Sequence, residues 1–372
     1  MALKQAGQRS ESGRLDLIHV LRGAAALLVL FGHISIATSF QFPSILGAFG
    51  QFPDLGVFIF FVISGFVVPW SLWTQRYTIH TFPKYMMRRL VRLDPPYFAM
   101  VAVGLVVAAY RSRAAGAVFP YSGATIALHL GYLSGLAQHP WIVTVFWTLG
   151  IEFQFYILMG LAYPLFAWIP KWVASATVTV ERRPGVVSRS PTTHGFGMVL
   201  LAFLCLEIVL ATVYVSAIAE QTWIHYSGYF FVGILAFSVK TQGLHWAALA
   251  AYCLVGAGIS GFSLEWGLVS VLGLLIVTLP ERLGWVWTTR FGSLANALGL
   301  ISYSLYLTHP VLVGSITHRA VTRGWISSPG RAVAVYAAEI SLCLSIATLF
   351  YFLVERPATK LSHRIKLKST AS

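Results

Sequence analysis

Long runs of apolar residues, separated by short polar loops, dominate the sequence. An apolar stretch of about 17–25 residues is long enough to cross a bilayer as a helix. Such stretches occur at roughly 17–38, 54–73, 94–111, 142–169, 196–218, 223–239, 244–260, 264–280, 298–317 and 332–354. The segment 122–138 is too short and polar to cross, and we expect it to lie at the outer surface or to dip into it. The pattern predicts an all-α, polytopic membrane protein with about ten transmembrane helices.

The composition agrees with this class. Hydrophobic residues make up 57% of the chain and charged residues 10%, whereas soluble domains carry about 25% charged residues. The three cysteines, Cys205, Cys253 and Cys343, lie within apolar runs, and no disulfide or metal-binding spacing is visible. The first apolar run contains Arg22 and His33 and lacks a small-residue cleavage site, so we expect a retained helix rather than a secretory signal.

Basic residues predict the orientation. An even number of spans returns both termini to one side, and the loops 72–93 and 170–195 fall on that side with the basic tail. The positive-inside rule makes this side cytoplasmic. All but six of the 26 lysines and arginines then lie in the cytoplasm; Arg111, Arg113, Arg319, Arg323 and Arg331 lie outside, and Arg22 lies within the membrane. The net charge of +14 therefore needs no nucleic-acid partner.

We expect a single membrane domain over 1–372. Its front half, about 1–170, carries nearly all the intramembrane charge. A cytoplasmic linker at about 171–195 separates it from a back half at about 196–356, and a basic cytoplasmic tail follows at 357–372. No internal repeat is visible, which disfavours an inverted-repeat transporter.

Arg22 and His33 are the most informative residues of the first span. They are eleven residues apart, so on a helix their directions differ by only ~20° and their heights by ~16 Å. Taken singly, Arg22 can extend to the cytoplasmic interface and His33 can be a packing residue. On one helix face at two depths, they suggest a polar passage across much of the bilayer.

Two further segments carry polar or small residues at helical spacing. Ser64 and Gly65 in the second span would let another helix backbone approach closely. Arg88 and Arg92 share one face of a short helix that we expect to end at Pro95 and Pro96. Their guanidinium groups suit phosphate oxygens; a basic cytoplasmic loop facing anionic lipid is the alternative interpretation.

Glu152 lies two to three turns into the fourth span, at a depth comparable with His33. A carboxylate there is costly unless it is paired. A Glu152–His33 pair can act as an acid–base unit because the carboxylate fixes the imidazole tautomer; a purely structural bridge is the alternative. His309 is expected in the middle of the membrane, lining the same cavity, and Glu355–Arg356 is interpreted as an interfacial stop.

Six blocks, taken in order, resemble the acyltransferase-3 family of bacterial membrane acyltransferases. They are Arg22 with His33, FFVISGF at 60–66, RRLVRLDPPY at 88–97, WTLGIEFQFY at 147–156, ISYSLYLTHP at 301–310 and ERP at 355–357. Each block is weak alone, whereas the ordered set, which covers the chain from end to end, is highly specific.

The resemblance implies about ten spans, a location in the bacterial cytoplasmic (inner) membrane, and transfer of an acyl group. The group is commonly acetyl from acetyl-CoA, and the usual acceptor is a saccharide hydroxyl at the far side of the membrane. The residues it marks as important are His33 and Glu152 with Arg22, Arg88, Arg89 and Arg92; cavity-lining candidates are Ser64, Tyr97, Trp147, Tyr156, Tyr303 and His309. No fused soluble catalytic domain is expected.

Two positions depart from the family pattern. Phe58 stands where many relatives carry an acidic residue, and His19 stands where they carry an acidic residue or Gln. The role of the carboxylate at position 58 must therefore be filled otherwise in this chain or omitted.

The resulting hypothesis places acyl-CoA, a co-substrate rather than a bound cofactor, on the arginines. His33 deprotonates the saccharide hydroxyl as a general base or forms an acyl-imidazole. No metal, tightly bound cofactor or nucleic acid is expected; the partners are the lipid bilayer, the donor and the saccharide acceptor. The rival hypothesis is a transporter or flippase of a lipid-linked saccharide that uses the same intramembrane charges.

Overall fold

The computed structural model describes residues 2–38, 54–176, 219–241, 244–278 and 289–366, where helices joined by turns and loops are found and no strand occurs. The helices are α1 (Ala2–Thr38), α2 (Leu55–Thr74), α3 (Phe82–Ala114), α4 (Gly123–Leu130), α5 (Phe146–Ala176), α6 (Trp223–Thr241), α7 (Trp246–Ile259), α8 (Leu264–Thr278), α9 (Arg290–Thr322), α10 (Pro329–Phe350) and α11 (Arg356–Ser362). Short 3-10 turns occur at Ile79–Thr81 and Ala219–Gln221, and a π-helical turn at Tyr351–Glu355 joins α10 to α11. The predicted span 196–218, Cys205 and most of the predicted linker lie outside the described residues.

Five described segments are long and apolar enough to cross a membrane. They are Leu17–Ser35, Leu55–Thr74, Ile79–Ala114, Gly292–Thr322 and Gly330–Ser362. The predicted all-α membrane class is thereby confirmed. The segments α7 and α8 are apolar but shorter, so the count of ten spans and the side of the termini stay predictions. The short helix α4 has eight residues, which agrees with the expectation that 122–138 does not cross.

The predicted helix end at Pro95 and Pro96 is wrong, because α3 runs through both prolines. A proline lacks the N–H that would bond four residues back and crowds that carbonyl. Within a membrane, packing against neighbouring helices allows a helix to continue through a proline. Just before the prolines α3 is anchored to α9, because the Tyr303 hydroxyl donates to the Leu93 carbonyl, 3.2 Å away.

The described residues form two compact units. The first comprises Met1–Phe60, Met87–Phe153 and Pro280–Lys366. Within it α1 packs along α9, and α9 packs along α10. Buried residues of all three helices form its core: Ala26, Leu30, Ile34, Leu305, Val313, Tyr336, Cys343 and Ala347.

A glycine pair sets the spacing of α1 and α9. A Cβ atom built on Gly299 would collide with the His19 carbonyl, and one built on Gly23 would lie 3.0 Å from the Gly299 nitrogen. Small residues that permit such contact are typical of membrane helix interfaces. This crossing determines which residues of α9 face Arg22 and His33 on α1.

The described residues of the second unit lie within Phe61–Met86 and Gln154–Leu279. A Cβ on Gly65 of α2 would collide with the Phe230 carbonyl of α6, and one on Gly233 would collide with the Val62 carbonyl. The predicted close backbone approach at Gly65 is therefore confirmed. Both units contain residues from the front and the back of the chain, and the single-domain organisation stays a prediction.

Candidate active site

The first unit contains all six residues predicted to catalyse transfer or bind the donor. These are Arg22 and His33 on α1, Arg88, Arg89 and Arg92 on α3, and Glu152 on α5. Of the predicted lining residues, Tyr97, Trp147, Tyr303 and His309 lie in the same unit, whereas Ser64 and Tyr156 lie in the second unit.

The imidazole of His33 is held by its own helix. Its Nδ1 lies 2.9 Å from the Val29 carbonyl oxygen, one turn earlier. A carbonyl only accepts, so Nδ1 carries the proton and donates it. In the neutral ring Nε2 therefore keeps its lone pair, and the half-buried His33 presents Nε2 as a base.

His309 of α9 lies directly beside His33. The two ring centroids are 5.0 Å apart, and the ring planes meet at 73°. Its Nδ1 lies 3.0 Å from the Leu305 carbonyl, which assigns the proton of this ring to Nδ1 as well. The side chain is 0% exposed, and its Nε2 has no hydrogen-bond partner among the described residues. The structure thus pairs two imidazoles from helices at opposite ends of the chain.

Acidic and phenolic groups surround this pair. The Tyr306 ring lies 5.9 Å from His309, and its hydroxyl bonds Thr148 Oγ1 at 2.7 Å. Both Asp54 and Glu152 lie within electrostatic reach of Tyr306, and Asp54 lies within reach of His33 too. Glu152 thus lies within electrostatic reach of Tyr306, a neighbour of His309, while its pairing with His33 stays a prediction.

Sequence reasoning did not single out Asp54. Its carbonyl accepts the Phe58 N–H at 3.0 Å, so it precedes Phe58 by one helical turn. Asp54 therefore brings a carboxylate close to the position where relatives carry one. The available signal was an acidic residue immediately before the second apolar run, on the same helical side as position 58.

At the other end of the site a buried carboxylate organises the basic residues. Glu355 is 4% exposed, and its Oε2 accepts the Ser304 N–H at 3.1 Å and the Ser304 hydroxyl at 2.6 Å. Arg22 and Arg92 both lie within electrostatic reach of Glu355. The interpretation of Glu355 as an interfacial stop is therefore wrong, because a π-helical turn, often found at functional sites, places the carboxylate inside the protein.

His19 lies near the same arginines. Both Arg22 and Arg92 are within its electrostatic reach, and its buried Nδ1 has no hydrogen-bond partner among the described residues. The departure at position 19 thus puts an imidazole, rather than an acidic residue, next to two guanidinium groups.

Arg88 makes a direct contact with the chain beyond the last span. Its Nη2 lies 3.2 Å from Nδ1 of His363, and since a guanidinium only donates, this Nδ1 is unprotonated. Burial, followed by the positive charges of Arg88 and Arg92, lowers the pKa of His363. Arg88 and Arg92 therefore share His363 as a neighbour, as expected for residues on one helix face.

Tyr97 and Tyr303 have structural hydrogen bonds. The fully buried Tyr97 donates its hydroxyl to the His129 carbonyl at 3.1 Å, and its ring stacks on Tyr132 at 4.6 Å. Tyr132 in turn donates to Asp94 at 2.8 Å. These contacts join α3 to the segment after α4, and the lining role of Tyr97 stays a prediction.

His129 is a satisfied core histidine. Its Nε2 accepts the Ile142 N–H at 3.1 Å, and its Nδ1 lies 2.8 Å from both the Thr125 carbonyl and the Ser134 hydroxyl. Burial lowers the pKa of His129, against the opposing effect of its bond to Thr125. Every ring nitrogen has a partner, in contrast to His309.

Sequence comparison identifies the protein class that carries this arrangement. A family described as an acyltransferase domain matches residues 15–350. The chain belongs to the acyltransferase-3 family. With its apolar spanning helices, it is a membrane acyltransferase.

Two curated proteins illustrate the range of similarity. "Acyltransferase MdmB" of Streptomyces mycarofaciens is 25% identical over 96% of this chain and 95% of its own length. "Regulator of hypoxia-inducible factor 1" of Caenorhabditis elegans is 26% identical over 45% of this chain and 38% of its own length. No solved structure matches the chain significantly. Among the described residues, no group of three or more His, Cys, Asp or Glu is placed to hold a metal ion.

Proposed function

We propose that this acyltransferase moves an acyl group, most commonly acetyl, from cytoplasmic acyl-CoA to a saccharide hydroxyl at the outer face of a bacterial cytoplasmic membrane. The observation that carries the proposal is the tautomer of His33. Its Nδ1 is occupied by the Val29 carbonyl, so its Nε2 is available to take a proton from a hydroxyl.

His33 acts at the acceptor end. Its Nε2 removes the hydroxyl proton as the hydroxyl oxygen forms a bond to the thioester carbon. The carbon–sulfur bond then breaks, and the proton passes from Nε2 to the departing thiolate. In a covalent variant, Nε2 attacks the thioester carbon and the CoA thiolate leaves, giving an acyl-imidazole. The hydroxyl then attacks the acyl carbon, Nε2 leaves, and the hydroxyl proton passes to the thiolate. Glu152 contributes negative charge that favours the imidazolium.

The arginines act at the donor end. Arg88, Arg89 and Arg92 bind the CoA phosphates, to which guanidinium groups are geometrically suited. Arg22 lies at the inner end of the path, and its ~16 Å rise from His33 along α1 is comparable with the length of a pantetheine arm. The shared carboxylate of Glu355 supports this arrangement, since it neutralises part of the charge of Arg22 and Arg92 before the donor binds.

The decisive experiment measures transfer of labelled acetyl groups from acetyl-CoA to saccharides in membranes containing the protein. We expect His33→Ala and Glu152→Gln to lower transfer at least about a hundredfold, the usual contribution of a general base. His80→Ala, in an exposed 3-10 turn, is the matched control and should retain activity. Normal transfer by His33→Ala at equal protein levels contradicts the assignment.

Donor binding separates this function from transport of a lipid-linked saccharide. A ligand that binds the folded state at a hundred times its Kd stabilises that state by about 2.7 kcal/mol. CoA should therefore raise the melting temperature of the purified protein, and the Arg88→Ala/Arg92→Ala double variant should lose most of that shift. The acceptor class can then be identified by comparing the glycans of a deletion strain with those of its parent, where one ester should be missing.

A further inference from the structure

His309 has a feature that packing alone does not explain. It is 0% exposed, and its Nε2 is buried with no hydrogen-bond partner among the described residues. Its Nδ1 is occupied by the Leu305 carbonyl at 3.0 Å, so Nε2 is an acceptor with an unused lone pair. An unpaired buried acceptor costs stability, and such groups in a native fold call for an explanation.

The neighbouring imidazole of His33 can donate a hydrogen bond to Nε2 of His309 only when His33 is protonated. With centroids 5.0 Å apart and planes at 73°, the edge of one ring meets the face of the other, so the two imidazoles are in direct contact. While His33 is neutral, Nε2 of each ring is an acceptor, so the two atoms have no proton to share. When His33 gains a proton at Nε2, it becomes a donor and His309 can accept.

We propose that His309 is a positioning residue that accepts a hydrogen bond from the His33 imidazolium during acyl transfer. The inference rests on the function proposed for His33. The proton leaves the saccharide hydroxyl, resides on Nε2 of His33 while that N–H bonds Nε2 of His309, and then passes to the thiolate released from CoA. His309 stays neutral throughout, because a second positive charge at this separation is unfavourable.

Such a contact accelerates the reaction because it exists only after proton uptake. An interaction stronger in the transition state than in the ground state raises kcat rather than substrate affinity. The other titratable groups around the pair are Asp54 before α2, Glu152 on α5 and Tyr306 on α9. The two carboxylates also favour the imidazolium form of His33, whereas His309 is positioned to fix the direction of its Nε2–H bond.

Two substitutions test the roles of the two ring nitrogens of His309 one at a time. His309→Asn keeps a donor near the Nδ1 position, close to the Leu305 carbonyl, and removes the Nε2 acceptor. His309→Gln places an amide oxygen near the Nε2 position and keeps the acceptor. Initial rates are measured in inverted membrane vesicles with acetyl-labelled acetyl-CoA between pH 5 and 8, with melting temperatures as a check on folding.

We expect His309→Asn to lower kcat about ten- to a hundredfold with unchanged KM for acetyl-CoA, as for loss of a hydrogen bond to a charged group. His309→Gln should recover most of the rate.

Wild-type kinetics in His309→Asn, or equal losses of rate in both variants, overturn the proposal and leave His309 a packing residue. An active His33→Ala variant instead overturns the function proposed for His33. The two failures are therefore distinguishable in one series of assays.

Discussion

The carboxylate of Glu355 accepts two hydrogen bonds from Ser304, a residue 51 positions earlier, through its backbone N–H at 3.1 Å and its hydroxyl at 2.6 Å. This contact joins the π-helical turn after α10 to the middle of α9. It also fixes a buried negative charge near Arg22 and Arg92. The donor end of the site therefore depends on a carboxylate that the donor itself does not contact in our proposal.

Replacing Glu355 tests this dependence. In Glu355→Gln the two arginines lose their shared counter-charge, and the bonds from Ser304, of a kind worth about 1.5–3 kcal/mol each when the acceptor is charged, become ordinary neutral bonds. We expect a melting temperature several degrees lower and a weaker stabilisation by CoA. Glu220→Gln, at an exposed position, should behave as wild type in thermal unfolding. Equal melting temperatures for the two variants would show that Glu355 has no such role.

The Arg88–His363 contact predicts a pH dependence of stability. The lowered pKa of His363 means that the folded chain binds fewer protons there than the unfolded chain. The stabilisation that His363 contributes to the folded state is therefore fully present above a pH of about 6.5, the pKa of a histidine in the unfolded chain. It is lost as pH falls toward the lower pKa of His363 in the folded chain. The melting temperature of wild type should exceed that of His363→Ala near pH 7.5, and the difference should shrink by pH 5.5. A difference that grows on acidification contradicts this assignment.

His129 should matter for stability and not for donor binding. His129→Ala leaves the buried Ile142 N–H without its acceptor, at a cost of about 1–3 kcal/mol. We expect a lower melting temperature, with KM for acetyl-CoA unchanged in the protein that remains folded. A changed KM at unchanged stability would instead place His129 in the substrate path.

The glycine contact between α1 and α9 predicts sensitivity to one methyl group. Gly299→Ala would force the backbone of α9 away from His19, and overpacking of this kind costs about 1–3 kcal/mol. Because the same crossing aligns His33 with His309, acetyl transfer should fall together with the melting temperature. Gly258→Ala, where an added Cβ meets nothing within 4 Å, is the control and should be tolerated in both measurements.

Apolar length and helical spacing made much of the fold and site predictable. A spanning helix is a local property of about twenty residues, so the segments around Arg22, Gly65 and His309 were identifiable directly. The spacing of Arg22 and His33 follows from helix geometry alone. The ordered motifs pointed to the family that the comparison confirms.

The partners of these residues depended on contacts between distant segments. Local rules predicted a helix end at Pro95, whereas α3 continues through it and is anchored to α9 by the Tyr303 bond to the Leu93 carbonyl. They also gave no reason to place Asp54 near His33 or Glu355 near Arg22.

The sequence by itself thus determined the class of protein, most of its helices and the candidate base. Only the tertiary structure decided that His33 faces a second imidazole and that the arginines share a buried carboxylate. The physical reason is that the tendency to form a spanning helix depends on the apolar residues of that one segment. The hydrogen-bond partners of a buried polar atom depend instead on which other helix packs against it.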